Sequence, residues 1–370
     1  MRNIGRKLLF VFFLVVLAVA GTLLATPSAS AQSRAAIGDT PRFFNFGANP
    51  SVSNATHRST LVNSIPYWSS LFTYGGLPYP FQMVGTDPTA GSATTYVRTE
   101  LIPIKVVFSD GTSFNGHSRV AATLSSPIFQ NAQYTSGHTQ YGDAIQRAEF
   151  WKYVSSKSQG YHVLLRQPIV YPTVTLNVPA ANGSVGTNPH TGQPEGLIDI
   201  NWFDPQIQSL ITSLHLSPRT LPIFLTSNTF LYQTVTTNCC IIGYHNALFE
   251  NSSTGQSVIQ TYIWATYNDP GMFSVPIEDI NALSHETSEW YNDPFVDNVT
   301  PNWISPIAPQ YGCNNFLEVG DPLVGVVFTV NGYHPQDEAF YSWFAKQVPS
   351  IGIHNQYTYL GTFTSPSPVC

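Results

Sequence analysis

Apolar and polar positions change period along the chain, and the changes divide it. From residue 32 to about 130, apolar residues alternate with polar ones or gather in short runs such as Val97 to Phe108. Clusters of Gly, Pro, Asn and Ser separate these runs, so the stretch predicts short β-strands joined by turns. Thr139 to Ser155 breaks the pattern: Tyr141, Ala144, Ile145, Ala148, Trp151 and Lys152 fall at helical intervals with no proline among them. A helix is predicted there. His138, Asp143, Arg147 and Glu149 make it unusually polar, which reads as a solvated helix with an ion pair. Strand-like pieces return between Gly160 and Ala181. Residues 182–196 are a Gly/Pro/Asn/Thr connector that reads equally as a domain boundary or a long loop.

From Leu197 onward the two periods mix. Leu197 to Trp202 reads as a strand, and Asp204 to Leu216 as a helix with Ile207, Leu210, Ile211 and Leu214 on one stripe. Leu221 to Leu225 and Tyr262 to Tyr267 read as further strands. A third helix starts near Pro276, tolerated in a first turn, and runs to about Tyr291 before Pro294 stops it. These elements predict an α+β protein. Its β-rich N-terminal region would span 32–195, and its C-terminal region, 196–370, would hold a mixed sheet; the two could also form one continuous unit.

The N-terminus follows neither period. Arg2, Arg6 and Lys7 precede an apolar stretch from Leu8 to Ala25, and Ala29-Ser30-Ala31 supplies the small residues of a cleavage site. Residues 1–31 therefore read as a secretory signal peptide, with an uncleaved anchor as the competing reading. The product is expected outside the cell or in the periplasm, with no membrane attachment after cleavage.

Composition narrows the possible partners. Apolar residues make up 43% of the chain and charged ones only 10%, against roughly 25% charged in ordinary soluble proteins, which excludes disorder. With 15 Lys+Arg against 21 Asp+Glu, no basic excess exists to neutralise nucleic-acid phosphates. So low a charge also suits an acidic exterior. The four cysteines, Cys239, Cys240, Cys313 and Cys370, fit an oxidising destination. Neighbours rarely bond each other, so Cys239 and Cys240 are expected to reach Cys313 and Cys370 in an unknown pairing.

The third helix carries the chemistry. In Ser284-His285-Glu286-Thr287-Ser288-Glu289, His285 and Glu289 are four apart, so an imidazole and a carboxylate share one helix face and can bind one cation. Glu286 projects beside them as a general base toward a metal-bound water. This is the zincin pattern H-E-x-x-H with Glu for the second His, and the extra negative charge should weaken the metal as a Lewis acid. In zincins an edge strand that pairs with an extended substrate precedes the helix, and Tyr262 to Tyr267 is placed to be that strand. Downstream, Glu318 is the expected third ligand. Asp321 and His245 are alternative or supporting ligands, and His334 is a further candidate.

The series FLTSNTFLY, CCIIGYHNAL, QTYIWATY, SHETSEWYNDP and CNNFLEVGDP, over about Leu221 to Pro322, resembles the EXORDIUM or phosphate-induced secreted proteins. It is also similar to bacterial secreted proteins with H-E-x-x-E followed by Asn-Pro or Asp-Pro. The resemblance implies a zincin-like C-terminal half, with His285, Glu286, Glu289, Glu318 and Asp321 where a metal site would lie and His245 near them. The adjacent cysteines depart from that layout.

These readings make the protein a secreted metal-dependent hydrolase, holding Zn²⁺ and acting on peptide or amide bonds in a peptide or cell-surface polymer. Ca²⁺ and Mn²⁺ fit the same donors. The alternatives are a non-catalytic secreted binding or signalling protein with a structural metal site, and a glycan-directed cell-wall protein.

Overall fold

The longest apolar run becomes the strand on which the rest is organised. In the computed structural model, which describes residues 42–43, 62–251 and 257–370, strand β1 is Thr94–Phe108. Its burial alternates at first and then turns continuous from Thr99 to Ile104, as a strand does on passing from a wet margin to a region covered on both faces. Helix α1 (Tyr141–Glu149) and strand β2 (His162–Leu165) follow. Next come β3 (Pro194–Asp199), α2 (Ile200–Ser213), β4 (Thr220–Ser227), β5 (Thr229–Tyr232), β6 (Cys239–Asn251), β7 (Ser257–Tyr267) and α3 (Asn281–Asn292).

One 13-stranded sheet takes in all seven strands, in the order β1, β4, β7, β6, β5, β3 along its main path, with β2 beside the start of β1. The β1, β4 and β7 strands run parallel, β6 is antiparallel to β7 and β5, and β3 is parallel to β5. Side chains divide between the two faces by the strand period. Phe224, Tyr244, Tyr262 and Trp264 face α2 and its Phe203, Ile207 and Ile211. Ile223, Leu225, Ile263 and Ala265 face the side of α1 and α3, with Leu283, Trp290 and Tyr291. Coverage on both faces explains why β4 is buried along its whole length.

This arrangement corrects the expected fold class. The protein is sheet-rich, 39% strand and 20% helix, with no separate zincin-like half. The sheet joins strands from both sides of the supposed boundary, since β1 pairs with β4 from Arg98–Thr220 to Pro103–Leu225. The connector at 182–196 is largely a hairpin, in which Gly183–Thr187 pairs antiparallel with β3. The β1–β4 pairing joins segments more than 100 residues apart, which local periodicity does not encode. The signal-peptide reading lies outside the described residues. No described helix is long and apolar enough to cross a membrane.

Two further expectations change. The polar helix is split by Phe150 into Tyr141–Glu149 and Trp151–Val154, and α1 is not solvated: Asp143, Arg147 and Glu149 are all buried. Asp143 accepts from Thr139 Oγ1 and the Val163 amide and lies 2.8 Å from His162 Nδ1, while Arg147 donates to the carbonyls of Ser136 and Tyr161. The cysteines pair as Cys239–Cys240 and Cys313–Cys370. Bonded to each other, with a cis peptide between them, the adjacent cysteines do not reach across the chain as expected. The second bridge ties the C-terminal residue to the strand Cys313–Phe316.

Burial also sets a pH dependence. Asp337 accepts from the Glu338 and Leu360 amides and from Thr362 Oγ1, yet desolvation lifts its carboxyl from the usual 3.8 to about 6. A carboxyl raised by folding contributes stability that is fully present below its unfolded pKa and is lost as pH climbs through the folded one. Between pH 4 and 6 the loss should be on the order of 2 kcal/mol. Urea denaturation across that range should show stability falling with pH. In Asp337→Asn, whose amide can donate to Thr362 instead, the slope should flatten. An unchanged slope would show that Asp337 does not set it.

Candidate metal centre

Strand β6 and helix α3 build the site together. The α-helical period brings His285, Glu286 and Glu289 to the sheet-facing side of α3, and His245 points at them from β6 because the strand period sends its neighbour Tyr244 to the opposite face. Leu317 to Leu323 closes the site with Glu318, Gly320 and Asp321. All these side chains are buried except that of Asp321, which is 22% exposed. The structure thus brings His285, Glu286, Glu289, Glu318, Asp321 and His245 into one cluster. It leaves His334 apart, with Glu278 and Asp279 at 3.1 and 2.7 Å.

Hydrogen bonding fixes which ring nitrogen faces what. His245 Nε2 lies 3.1 Å from the carbonyl oxygen of Asp293, which can only accept, so Nε2 carries the proton. Burial lowers the His245 pKa to about 3, so the ring is neutral and Nδ1 is a lone pair. That lone pair faces Glu286 Oε2 at 3.1 Å and Glu289 Oε2 at 3.7 Å. Each of these contacts therefore needs a proton on the carboxyl or a cation between the groups. Glu286 Oε1 is buried and has no hydrogen-bond partner among the described residues.

His285 is arranged the other way round. Gln336 Nε2 donates to the Gly320 carbonyl at 2.8 Å, which orients the amide, and lies 2.9 Å from His285 Nδ1. Nδ1 is thus the acceptor, and the proton sits on Nε2, 3.0 Å from Glu289 Oε1 and 3.9 Å from Asp321 Oδ1. The amides of Gly320 and Asp321 donate to the same Glu289 oxygen. Donors therefore surround Oε1 and turn Oε2 toward His245. Glu318 hydrogen-bonds to Glu289, and its Oε2 lies 4.0 Å from His245 Nε2.

Ionised, these carboxyls would need compensation, which protons or a cation can supply. Glu286, Glu289 and Glu318 have pKa values pushed well above the carboxylate range, first by burial and then by neighbouring carboxylates, with Asp321 contributing in each case. Asp321 rises to about 6 through burial. No Lys or Arg forms an ion pair with Glu286, Glu289 or Asp321 among the described residues. The donor chemistry fits a divalent cation among His245 Nδ1, Glu286 and Glu289, atoms that lie within 4.8 Å of one another. The outer hydrogen bond from His245 to a backbone carbonyl is the one a metal-bound imidazole usually makes.

Sequence reasoning missed Gln336 and gave His245 a minor place. It also misplaced the strand before the helix. From Ile263 to Tyr267, β7 is paired with β4, and it is paired with β6 from Ser257 to Ala265, so it offers no free edge to a substrate. No family model, curated protein or solved structure matches the chain.

Proposed function

We propose that the protein is a secreted metalloprotein whose centre holds one divalent cation between β6 and α3 and serves as a structural clamp. His245, Glu286 and Glu289 would be the ligands, with Glu318 beside them. His285, Gln336 and the Gly320 and Asp321 amides would orient Glu289. The reading rests on the convergence of His245 Nδ1, Glu286 Oε2 and Glu289 Oε2. Burial of these groups and the doubly paired β7 favour a closed centre, as structural metal sites are, over one that keeps a position open for substrate. An imidazole ligand favours Zn²⁺ or Mn²⁺ over Ca²⁺, which prefers all-oxygen sets.

One observation favours the hydrolase reading instead: the partly exposed Asp321, 3.9 Å from His285 Nε2, gives solvent a way toward the His285–Glu289 pair. Elemental analysis of protein purified without chelator separates the two. If Glu286 is a ligand, Glu286→Gln should lose most of the metal that the wild type retains. If it is a general base, the variant should keep the metal and lose turnover of casein or peptide libraries. Wild-type protein free of metal after incubation with zinc or manganese would end both readings.

A further inference from the structure

Far from the metal centre in sequence, three arginines line one cavity of about 600 Å³. Sheet register places them side by side. Arg98 lies on β1 opposite Thr220 of β4, whose chain neighbour is Arg219. On the other side of β1, β2 pairs Leu165 with Val97, and the next residue, Arg166, continues the ladder by donating its amide to the Val97 carbonyl at 2.8 Å. Arg166, one residue past β2, and Arg219, in the turn one residue before β4, thus flank Arg98 of β1 at the cavity, and all three are exposed.

Like charges on adjacent strands destabilise a sheet, so such a grouping needs an explanation in a chain with only 15 Lys+Arg and a net charge of −6. Internal neutralisation does not supply one. None of the three forms an ion pair with a carboxylate among the described residues. Glu100, the acid lining the cavity, accepts from Thr220 Oγ1 at 2.9 Å and from Tyr171 at 3.4 Å. Two of the arginines are held in place by neutral neighbours. Arg166 lies 5.1 Å over the Tyr96 ring, and Arg219 Nε donates to Asn63 Oδ1 at 2.8 Å. Guanidinium groups orient on planar oxyanions through paired hydrogen bonds, and a concave wall concentrates their field.

We infer that Arg98, Arg166 and Arg219 form a binding site for a ligand carrying two or more oxyanion groups, carboxylate or phosphate. The site is independent of the metal centre. Calorimetric titration of the secreted protein with citrate, trigalacturonate, inorganic phosphate and neutral cellotriose tests it. Citrate or trigalacturonate should bind, more weakly as salt rises, and cellotriose should not. Binding of phosphate as well would place phosphorylated ligands within the same chemistry. Arg98→Gln should weaken anion binding at least tenfold, and at low salt it should raise the Tm of the ligand-free protein by relieving repulsion. Arg219→Gln repeats the test if the first variant does not fold. The inference is overturned if no oxyanion binds, if cellotriose binds equally well, or if folded variants bind as the wild type does.

Discussion

Removing the cation with a chelator at pH 7 is expected to lower the Tm by about 8 °C. A ligand that binds only the folded state at a concentration a thousandfold above its Kd stabilises by about 4 kcal/mol, and each kcal/mol moves a chain of this size by ~2 °C. The stabilisation arises because folding places the Glu286 and Glu289 carboxyls beside the neutral His245 ring, out of water and with no Lys or Arg ion pair among the described residues. Metal-free protein must hold protons there; the loaded protein does not. His245→Ala removes a ligand but leaves the carboxylates, so its Tm should be the same with and without chelator. If chelation leaves the wild-type Tm unchanged, the cluster is a proton-shared carboxylate network.

The α3 part of this centre was legible in the sequence because it is local. A spacing of four residues puts His285 and Glu289 on one face wherever a helix forms, and Glu286 follows from the same period. The place of His245 opposite Glu286 was not legible, because it depends on β6 pairing with β7 at His245–Ile263, a register set by the whole sheet. Gln336, 51 residues beyond His285, gives no spacing signal. Its role emerges only from its amide, caught between the Gly320 carbonyl and the imidazole. The α1 helix misled in the opposite direction. Asp143, Arg147 and Glu149 look solvated by composition, but the chain supplies carbonyls, amides and His162 to satisfy two of them in the interior. Helix positions were legible to within a few residues for α2, and β4 and β7 extend the strands read at Leu221 to Leu225 and Tyr262 to Tyr267. Their order in the sheet, and so the lack of a free edge on β7, was not.

The second large effect should come from a single methyl group. Gly320 has an ordinary φ of −85°, so alanine there meets no backbone penalty. Its Cβ, however, would sit 2.4 and 2.5 Å from Nδ1 and Cε1 of the His285 ring, distances that buried atoms do not tolerate. The ring cannot turn away without giving up Gln336 and its place beside Glu289, and Gly320 itself donates to Glu289 Oε1. Gly320→Ala should therefore cost about 2–3 kcal/mol, the usual range for overpacking, and should also release the metal by freeing Glu289 to rotate. On the other side of the centre, a Cβ at Gly243 would come within 2.8 Å of Glu286 Cγ and Oε1. Gly243→Ala should displace Glu286 from His245 and lower metal affinity at a smaller cost in stability, because a Glu side chain bends where an imidazole cannot. Urea denaturation of Gly320→Ala in a His285→Ala background isolates the contact. With the ring gone, the added methyl group should cost less than about 1 kcal/mol. An equal cost in both backgrounds would mean that the close approach of Gly320 to His285 does not hold the centre together.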